Sequence, residues 1–500
     1  MASDRPDEDM DQDLLAAEDA DEEILNDEDL AMDSDNEEGE GQEEGMVEGE
    51  ELVLQNDSIA FFDLPQDSLF AIAQHPVHPS LIAVGGSAGQ EDDAPGAGWL
   101  FDTSAAQSRP VLPASYASDP SERPKNTQLE SLVFLDGHKD SINALAWTLP
   151  RGEVLVSGGL DGKIRAWKAD VKPSQGVSLS LVGESQEVEE INWISACPSA
   201  AHPNTIALGA NDGSVWVYTV DPSDPSNPLQ IVQSYFLHTG ACTAGAWTAD
   251  GNLLATVSDD SSLYVWDVWG LAAANNLVGD NGQSAFSLTG EDQRFEVKGG
   301  LYSIAIDPKG SFVAVGGAGG AIRIVSLPRL TAAAPPSKSA KGKGSKSSAD
   351  PTAGGQILAS LQAQFDSIET LAVAVTPTTP PTTLLAAGSV DGSICVYDAT
   401  RRFAVRKNLV GAHEDHSVVK VEFVPGTWLL TSCGMDGVVR RWDLRASGAT
   451  SASTDSGLLK EWRGHMGGGE GGGVLGFVQG QTGERLVTAG DDGVSLVFEA

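Results

Sequence analysis

The feature that most constrains the fold is a short turn that recurs at a fixed distance from an aromatic residue. The clearest copy is segment 135–168, in which the turn Asp161-Gly162 lies six residues before Trp167. Asp-Gly suits a hairpin turn, which needs a positive backbone φ, and apolar residues alternate along the strand that follows. The same offset returns at Asp212 to Tyr218, Asp260 to Trp266, Asp391 to Tyr397, Asp436 to Trp442 and Asp492 to Phe498.

Several units also carry polar residues that can satisfy one another when buried. A buried His can bond the turn Asp, and the Asp can in turn bond a strand hydroxyl and the closing Trp nitrogen. Three units carry the whole set: His138, Ser157, Asp161 and Trp167; His238, Thr256, Asp260 and Trp266; and His413, Ser432, Asp436 and Trp442. A fourth unit carries His465, Thr488 and Asp492, with Phe498 in place of the Trp.

The recurring unit resembles the WD repeat, with Trp266-Asp267 and Trp442-Asp443 as its signature dipeptide. The resemblance implies an all-β WD-repeat β-propeller whose four-stranded blades stand around a channel. We count eight three-strand units and predict eight blades, with seven as the alternative because the first and fifth units are weak. The last unit ends after its third strand, so residues 51–62 are expected to supply a closing strand and cover its edge.

Charge divides the chain into two parts. Residues 1–51 hold 24 acidic residues and one basic residue, a composition that cannot bury enough apolar surface to fold. We therefore predict a disordered acidic tail over residues 1–50 and the propeller over residues 51–500. Residues 52–500 still carry 48 acidic and 29 basic residues, a net charge of −19. This balance argues against direct DNA binding and an anionic membrane surface, and it favours a basic partner.

The remaining sequence signals place the chain inside the cell and interrupt the repeats with loops. Four cysteines stand far apart without metal-ligand spacing, and neither a signal peptide nor an apolar span of about 20 residues is visible. Residues 328–356 form a flexible loop with four lysines, which is either a tolerated insertion or a weak nuclear-import or RNA-contact patch. Residues 105–130 and 271–293 are expected to be polar linkers, and the glycine-rich run 467–473 another loop.

Two motifs that suggest chemistry are explained better by the repeats. In His413-Glu414-Asp415-His416 the first His falls at the structural position, and the residues after it belong to a loop. The glycines of segment 316–321 fall at a hairpin turn with no helix to receive a phosphate. No paired nucleophile and base is visible. We therefore expect no catalytic residue, no metal and no cofactor.

The loops expected on one face of the propeller are rich in acidic residues. These loops lead from the outer strand of one blade to the inner strand of the next, or join the second and third strands. Lys139 is the main basic residue at the same positions, so the sequence predicts an acidic face that binds a basic peptide through charge-assisted contacts. The predicted face consists of Asp136, Asp140, Glu184, Glu187, Glu189, Glu190, Asp259, Asp366, Glu369, Glu414, Asp415 and Asp491.

The acidic tail, followed by the propeller segment FFDLPQDSLFAIAQHPVHPSLIAVGG at 61–86, resembles the angio-associated migratory cell protein group. The resemblance is closer to the fungal WD-repeat ribosome-assembly chaperones of that group. It implies a dedicated chaperone that binds the basic N-terminal segment of a new large-subunit ribosomal protein and supports 60S assembly. We also expect the protein to be a monomer located in the cytoplasm, with the nucleus as a second location. The main alternative is a scaffold in signalling or in a ubiquitin ligase, and histone chaperoning is a third hypothesis.

Overall fold

The structure is a computed structural model that describes residues 55–91, 93–106, 126–172, 176–279, 281–330, 354–445, 457–468 and 471–500. The predicted tail over residues 1–50, the first residues of the predicted closing strand and most of the basic loop 328–356 lie outside these ranges. The described residues of the basic loop precede β22, the strand that begins at Ile357.

The described chain forms eight antiparallel sheets of four strands, one of them extended by a fifth. This confirms the eight-bladed propeller, and the blades are numbered here in chain order. The strands up to blade four are β1 (Ala60–Phe62), β2 (Leu69–Gln74), β3 (Leu81–Ser87), β4 (Gly96–Asp102), β5 (Thr127–Gln128), β6 (Ser131–Leu135), β7 (Ile142–Trp147), β8 (Val154–Gly159), β9 (Lys163–Lys172), β10 (Gly176–Gln186), β11 (Ile191–Ala196), β12 (Thr205–Ala210), β13 (Val215–Val220), β14 (Leu229–Tyr235), β15 (Cys242–Trp247), β16 (Leu253–Ser258), β17 (Leu263–Asp267) and β18 (Ser284–Leu288).

The later blades repeat the same arrangement. Their strands are β19 (Leu301–Ile306), β20 (Phe312–Gly317), β21 (Ala321–Ser326), β22 (Ile357–Gln362), β23 (Ile368–Val375), β24 (Thr383–Ser389), β25 (Ile394–Asp398), β26 (Ala404–Leu409), β27 (Val418–Phe423), β28 (Leu429–Gly434), β29 (Val439–Asp443), β30 (Leu458–Trp462), β31 (Val474–Val478), β32 (Arg485–Gly490) and β33 (Ser495–Glu499). The short helix α1 (Leu271–Ala274) and the 3₁₀ turns Thr103–Ala105, Ala318–Gly320 and Ala399–Arg401 lie between strands.

The ring is closed by contacts between the first strands of neighbouring blades. Each first strand, from β2 through β7, β11, β15, β19, β23 and β27 to β31, contacts the next, and β31 contacts β2. Within a blade, successive strands run antiparallel. The start of the first strand, the end of the second, the start of the third and the end of the fourth therefore lie on one side of the ring.

The closing strand predicted before the first unit is confirmed, although it is shorter than expected. In β1, Ala60 pairs with Val497 and Phe62 pairs with Ser495 of β33, so the N-terminal strand completes blade eight. A further strand, β5, adds to β1 in parallel. It lies in the region expected to be a polar linker, and it covers the edge that β1 would otherwise expose.

The core lies between adjacent blades and is formed mainly by the second and third strands. Every residue of β8 and of β12 is buried. Val154 and Val156 of blade two cluster with Ile206 and Leu208 of blade three, and burying each such aliphatic side chain contributes about 1.5–3 kcal/mol. These apolar layers hold the blades at fixed positions, so the connections between them are anchored at both ends.

One linker prediction was wrong. Residues 271–293 were expected to be a polar linker, but they contain α1 and β18, the fourth strand of blade four. Phe286 of β18 pairs with Val265 of β17, and Ser284 and Ala285 are buried. The serines and glycines of this segment concealed a short edge strand, because β18 places only a few apolar residues against the blade.

Candidate functional site: an acidic face on a hydrogen-bonded ring

The polar residues predicted in each unit form a hydrogen-bonded network in blade two. His138 lies before the first strand, with its Nδ1 3.0 Å from Asp161 and its Nε2 2.8 Å from the Ser157 hydroxyl. The indole nitrogen of Trp167 donates to the same hydroxyl at 3.2 Å. The Ser157 hydroxyl therefore bonds both the His and the Trp. The sequence had predicted instead that the Asp bonds both the hydroxyl and the indole nitrogen. The network connects the loop before the blade to its hairpin turn.

Blade seven repeats this arrangement, and here a buried arginine also pairs with the turn Asp. His413 contacts Asp436 at 2.9 Å and Ser432 at 2.8 Å, and Trp442 donates to Ser432 at 2.9 Å. Arg440, only 5% exposed, pairs with Asp436 and reaches Glu461 at 2.7 Å. Burial opposes ionisation of Asp436, but the bonds from His413 and Arg440 prevail and lower its pKa to about 2.

The third predicted set required a correction. His238 accepts or donates at Thr256 as expected, at 2.8 Å, but its Nδ1 contacts the Ser262 hydroxyl at 2.6 Å instead of Asp260. Asp260 receives the backbone N–H groups of Thr239 and Ser262. Trp266 donates to Thr256 at 2.8 Å. Blade four therefore places a serine hydroxyl between the His and the Asp.

The fourth set is present in blade eight, where His465 contacts Asp492 at 3.0 Å and Thr488 at 2.7 Å. Blade six has no His at this position. Gln364 takes its place, and the side-chain amide donates to the Ser393 hydroxyl at 3.1 Å, while that hydroxyl bonds Asp391. In blade six, hydrogen bonds thus connect the loop before the blade to its hairpin turn even though the His of the sequence pattern is missing.

The network places the predicted acidic residues on one side of the ring, because the turns and connections that it joins carry them. Glu414 and Asp415 follow the anchored His413, and Asp259 precedes the anchored Asp260. Eleven of the twelve predicted residues are exposed, and Asp491 is half-buried and accepts bonds from the Ser68 hydroxyl and the Gly471 N–H. Asp136, Asp140, Glu187, Glu189, Glu190, Asp366 and Glu369 also lie in these connections or at the adjoining strand ends.

One member of the acidic face is already neutralised. Glu184 lies 3.7 Å from Lys163 and 3.4 Å from Arg165. Within the described ranges, none of the other eleven carboxylates forms an ion pair with a basic side chain. Their negative charge is therefore available to a partner, which is the condition that a basic ligand requires.

The carboxylates act on one another across neighbouring blades. Partial burial and the nearby Asp366 raise the pKa of Glu369, although its side chain still reaches solvent. Partial burial, Glu369 and Asp259 together raise the pKa of Tyr302. Three carboxylates from blades four to six and the loops between them therefore share one negative region, which a cation would relieve.

The sequence reasoning missed two further groups on this side. Arg165 and Arg440 are buried basic residues, each four residues after a turn Asp, and that spacing was a readable signal. The second group is apolar and exposed, and no repeat position would have identified it. It consists of Phe236 (63% exposed), Phe365 (93%), Val410 (81%) and Met466 (68%), all in connections between blades.

Neither a cluster of metal-ligand residues nor a bilayer-spanning helix is found among the described residues. None of their His, Cys, Asp and Glu side chains form a group of three that could hold a metal ion, and in the motif at 413–416 the first His is occupied by Asp436 and Ser432. None of the helices in the described ranges has the length and apolar character that spanning a bilayer would require.

Comparison with known proteins agrees with the repeat reading. The family model described as WD domain, G-beta repeat matches residues 129–168 and 229–267. The ribosome assembly protein SQT1 of Saccharomyces cerevisiae is 27% identical over 97% of this chain and 93% of its own length. The human angio-associated migratory cell protein is 22% identical over 92% of this chain and 85% of its own length.

Two solved structures are more similar. The crystal structure of Chaetomium thermophilum Sqt1 is 56% identical with a TM-score of 0.76, and the match covers 89% of this chain and 98% of that one. A second crystal structure shows the same protein bound to the N-terminus of the ribosomal protein L10, at 56% identity, a TM-score of 0.75 and coverage of 89% and 100%. With this identity along almost the whole length of the solved relative, the chain belongs to the Sqt1 family of WD-repeat proteins.

Proposed function

We propose that the protein is a dedicated chaperone of the large-subunit ribosomal protein L10. It binds the basic N-terminal segment of newly made L10 on the acidic face and supports assembly of the 60S subunit. The observation that carries the proposal is the solved complex of Chaetomium thermophilum Sqt1 with the N-terminus of L10, at 56% identity to this chain. The protein does not act as an enzyme in this role.

The acidic face supports this function because it offers many carboxylates without bound cations. Arginine and lysine side chains of a client form charge-assisted hydrogen bonds with such groups, and a guanidinium can bond one carboxylate through two N–H groups. Partial burial and the neighbouring Asp366 carboxylate both raise the pKa of Glu369, and a cation placed beside these two carboxylates would relieve the second of these effects. Binding by this means is fast and weakens with salt.

The exposed apolar side chains give the same face a second type of contact. Phe365 is 93% exposed, yet its backbone N–H donates to Asp391 at 2.9 Å. The backbone that carries this side chain is therefore held in place before a client arrives, which lowers the entropy lost on binding. An apolar or aromatic side chain of the client packs against Phe365 in the proposed complex, while basic neighbours reach Asp366 and Glu369.

The location follows from the proposed client. New ribosomal proteins leave the translating ribosome in the cytoplasm, so we place the chaperone there, with passage to the nucleus as part of the proposal. Each client is bound by one propeller, which acts as a monomer. A signalling or ubiquitin-ligase scaffold would instead bind its partners with little dependence on salt.

The test is binding of a synthetic peptide with the N-terminal sequence of L10 to the purified full chain at two salt concentrations. A variant with Glu187→Lys, Glu190→Lys, Glu414→Lys and Asp415→Lys should bind at least about 100-fold more weakly, because two or more close charge pairs are lost. Wild-type affinity should also fall as salt rises.

The matched control carries the same number of charge reversals away from the acidic face, at Glu130, Asp170, Asp250 and Glu484, all exposed. It should bind the peptide almost as well as the wild type. Equal weakening in both variants would mean that net charge alone governs binding, and unchanged binding in the first variant would remove the acidic face from the proposal. Circular dichroism establishes that both variants are folded.

A further inference from the structure

A second candidate binding site lies away from the acidic face, at the outer strands of blades three and four. It is a cavity of about 400 Å³ whose lining includes Tyr235, Asp267, Trp269, Gln233 and Gln283. Asp267 ends β17, whereas the turn that carries Asp259 precedes the same strand. The cavity is therefore at the opposite end of this strand from the acidic face.

Two residues that line this cavity each carry a buried polar atom that lacks a hydrogen-bond partner among the described residues. The two atoms are the hydroxyl of Tyr235 and the Oδ1 atom of Asp267, on side chains of residues that are 2% and 7% exposed. The other oxygen of Asp267 accepts the Ala273 N–H at 2.8 Å. A buried acceptor without a partner costs about 1–3 kcal/mol, so a ligand with N–H donors would recover a penalty that the folded chain carries.

The equivalent Asp of blade seven shows which donor fits this position. Asp443 ends β29 as Asp267 ends β17, and each pairs with the first residue of the second strand in its blade. Asp443 accepts two N–H groups from Arg445, at 3.0 and 2.7 Å. The residue two positions after Asp267 is Trp269, which cannot supply these donors. Blade seven therefore supplies a guanidinium to its Asp from Arg445, whereas blade four has no arginine at the corresponding position.

The remaining walls of the cavity suit a planar cation. Burial, together with the nearby Asp267 carboxylate, raises the pKa of Tyr235, so the phenol stays neutral and can accept or donate a hydrogen bond. Trp269 stacks on His202 with ring centres 3.5 Å apart. Elsewhere in this protein a guanidinium stacks on an indole, with Arg406 4.5 Å from the ring of Trp428, an arrangement that favours arginine over lysine.

We propose that this cavity binds a guanidinium group, with Asp267 accepting its N–H donors, Tyr235 completing the hydrogen bonds and Trp269 contacting its plane. The group comes either from an arginine side chain of a partner polypeptide or from free arginine. The site is separate from the acidic face and extends the function proposed above without depending on it.

The experiment titrates the isotope-labelled full chain with N-acetyl-L-arginine amide and follows the indole N–H signal of Trp269 by NMR. The signal is assigned with a Trp269→Phe variant. We expect a saturable shift, with an affinity that falls about tenfold or more in the isosteric variant Asp267→Asn, because a charge-assisted hydrogen bond is lost. The second variant, Tyr235→Phe, removes only an unpartnered hydroxyl and should fold normally and bind more weakly.

Four results would overturn the assignment. The first three are the absence of a saturable shift in the wild type, equal affinity in wild type and both variants, and binding of N-acetyl-L-lysine amide as tight as that of the arginine compound. The fourth is ordered water alone at Asp267 in a crystal grown with the arginine compound. Free L-arginine run in parallel distinguishes the two sources, because a polypeptide site should favour the blocked compound. Asp267→Asn should keep its binding of the L10 peptide, which separates this test from that of the proposed function.

Discussion

Blades four and seven each contain a His, a hydroxyl residue, an Asp and a Trp at corresponding positions, with Thr256 in blade four and Ser432 in blade seven as the hydroxyl residue, but they connect these side chains differently. In blade seven His413 meets Asp436 directly and Arg440 adds a buried charge, whereas in blade four the Ser262 hydroxyl stands between His238 and Asp260. Both arrangements hold a loop against a hairpin turn. The difference shows that each of these blades keeps a hydrogen-bonded link between loop and turn, whereas the number of charged side chains in that link varies from blade to blade.

The largest expected effect comes from removing the carboxylate in blade seven. Asp436→Ala should lower the free energy of unfolding by about 3–5 kcal/mol, because it leaves Arg440 buried without one of its two carboxylate partners. Denaturant unfolding of the full chain measures the loss. Asp260→Ala is the matched variant in blade four, and it should cost about 1–2 kcal/mol, since only hydrogen bonds are lost there. Equal losses would show that the buried charge makes no difference.

The next effect is a dependence of stability on pH, to which both blades contribute, because burial also lowers the pKa of His413. Burial lowers the pKa of His238 to about 4, so the unfolded chain binds this proton more tightly than the folded chain. Its contribution to stability is complete above about pH 6.5, decreases as the pH falls, and levels off below about pH 4, for a total of about 3 kcal/mol. His238→Gln should reduce this pH dependence in unfolding measurements, because Gln364 fills the same position in blade six without titrating. An unchanged slope between pH 6.5 and 4 would contradict the assignment to His238.

The smallest effect concerns Ser262, the serine that distinguishes blade four from blade seven. Ser262→Ala removes the hydroxyl that bonds His238 and should lower the free energy of unfolding by about 1 kcal/mol. Ser393→Ala in blade six removes the corresponding bond to Gln364 and should cost a similar amount. Thermal unfolding of the two variants checks the pair. A loss of several kcal/mol in only one of them would mean that the two serines play different roles.

The repeat pattern was sufficient to predict the architecture, because turn glycines, closing aromatics and alternating strands report directly on local backbone and burial. It predicted the closing partner of β33 from the missing fourth strand of the last unit. It missed β18, because an edge strand places few side chains in the core and its composition resembles that of a loop. It also missed β5, whose pairing with β1 depends on contacts distant in sequence.

The sequence was sufficient to predict which loops carry the acidic face, but not which side chains its carboxylates contact. Loop position identified exposed carboxylates, yet the pairing of Glu184 with Arg165 depends on which side chains meet across neighbouring strands. The direct contact predicted between His238 and Asp260 was wrong, because the hydroxyl of Ser262, two residues after the Asp, forms the hydrogen bond with His238 instead. The same serine occurs at Ser393 in blade six, while blade seven has Val438 there, so this distinction was present in the sequence and was not used.

The pairing of β1 with β33 has a consequence for the order of folding. Ala60 and Val497 meet across almost the whole chain, whereas most other strand pairs join neighbours in sequence. The entropy of closing so long a loop grows only with the logarithm of its length, but contacts of this separation form slowly. Seven blades can therefore assemble from local hairpins before the eighth is completed, and the finished ring is a late kinetic event that joins the two ends of the described chain.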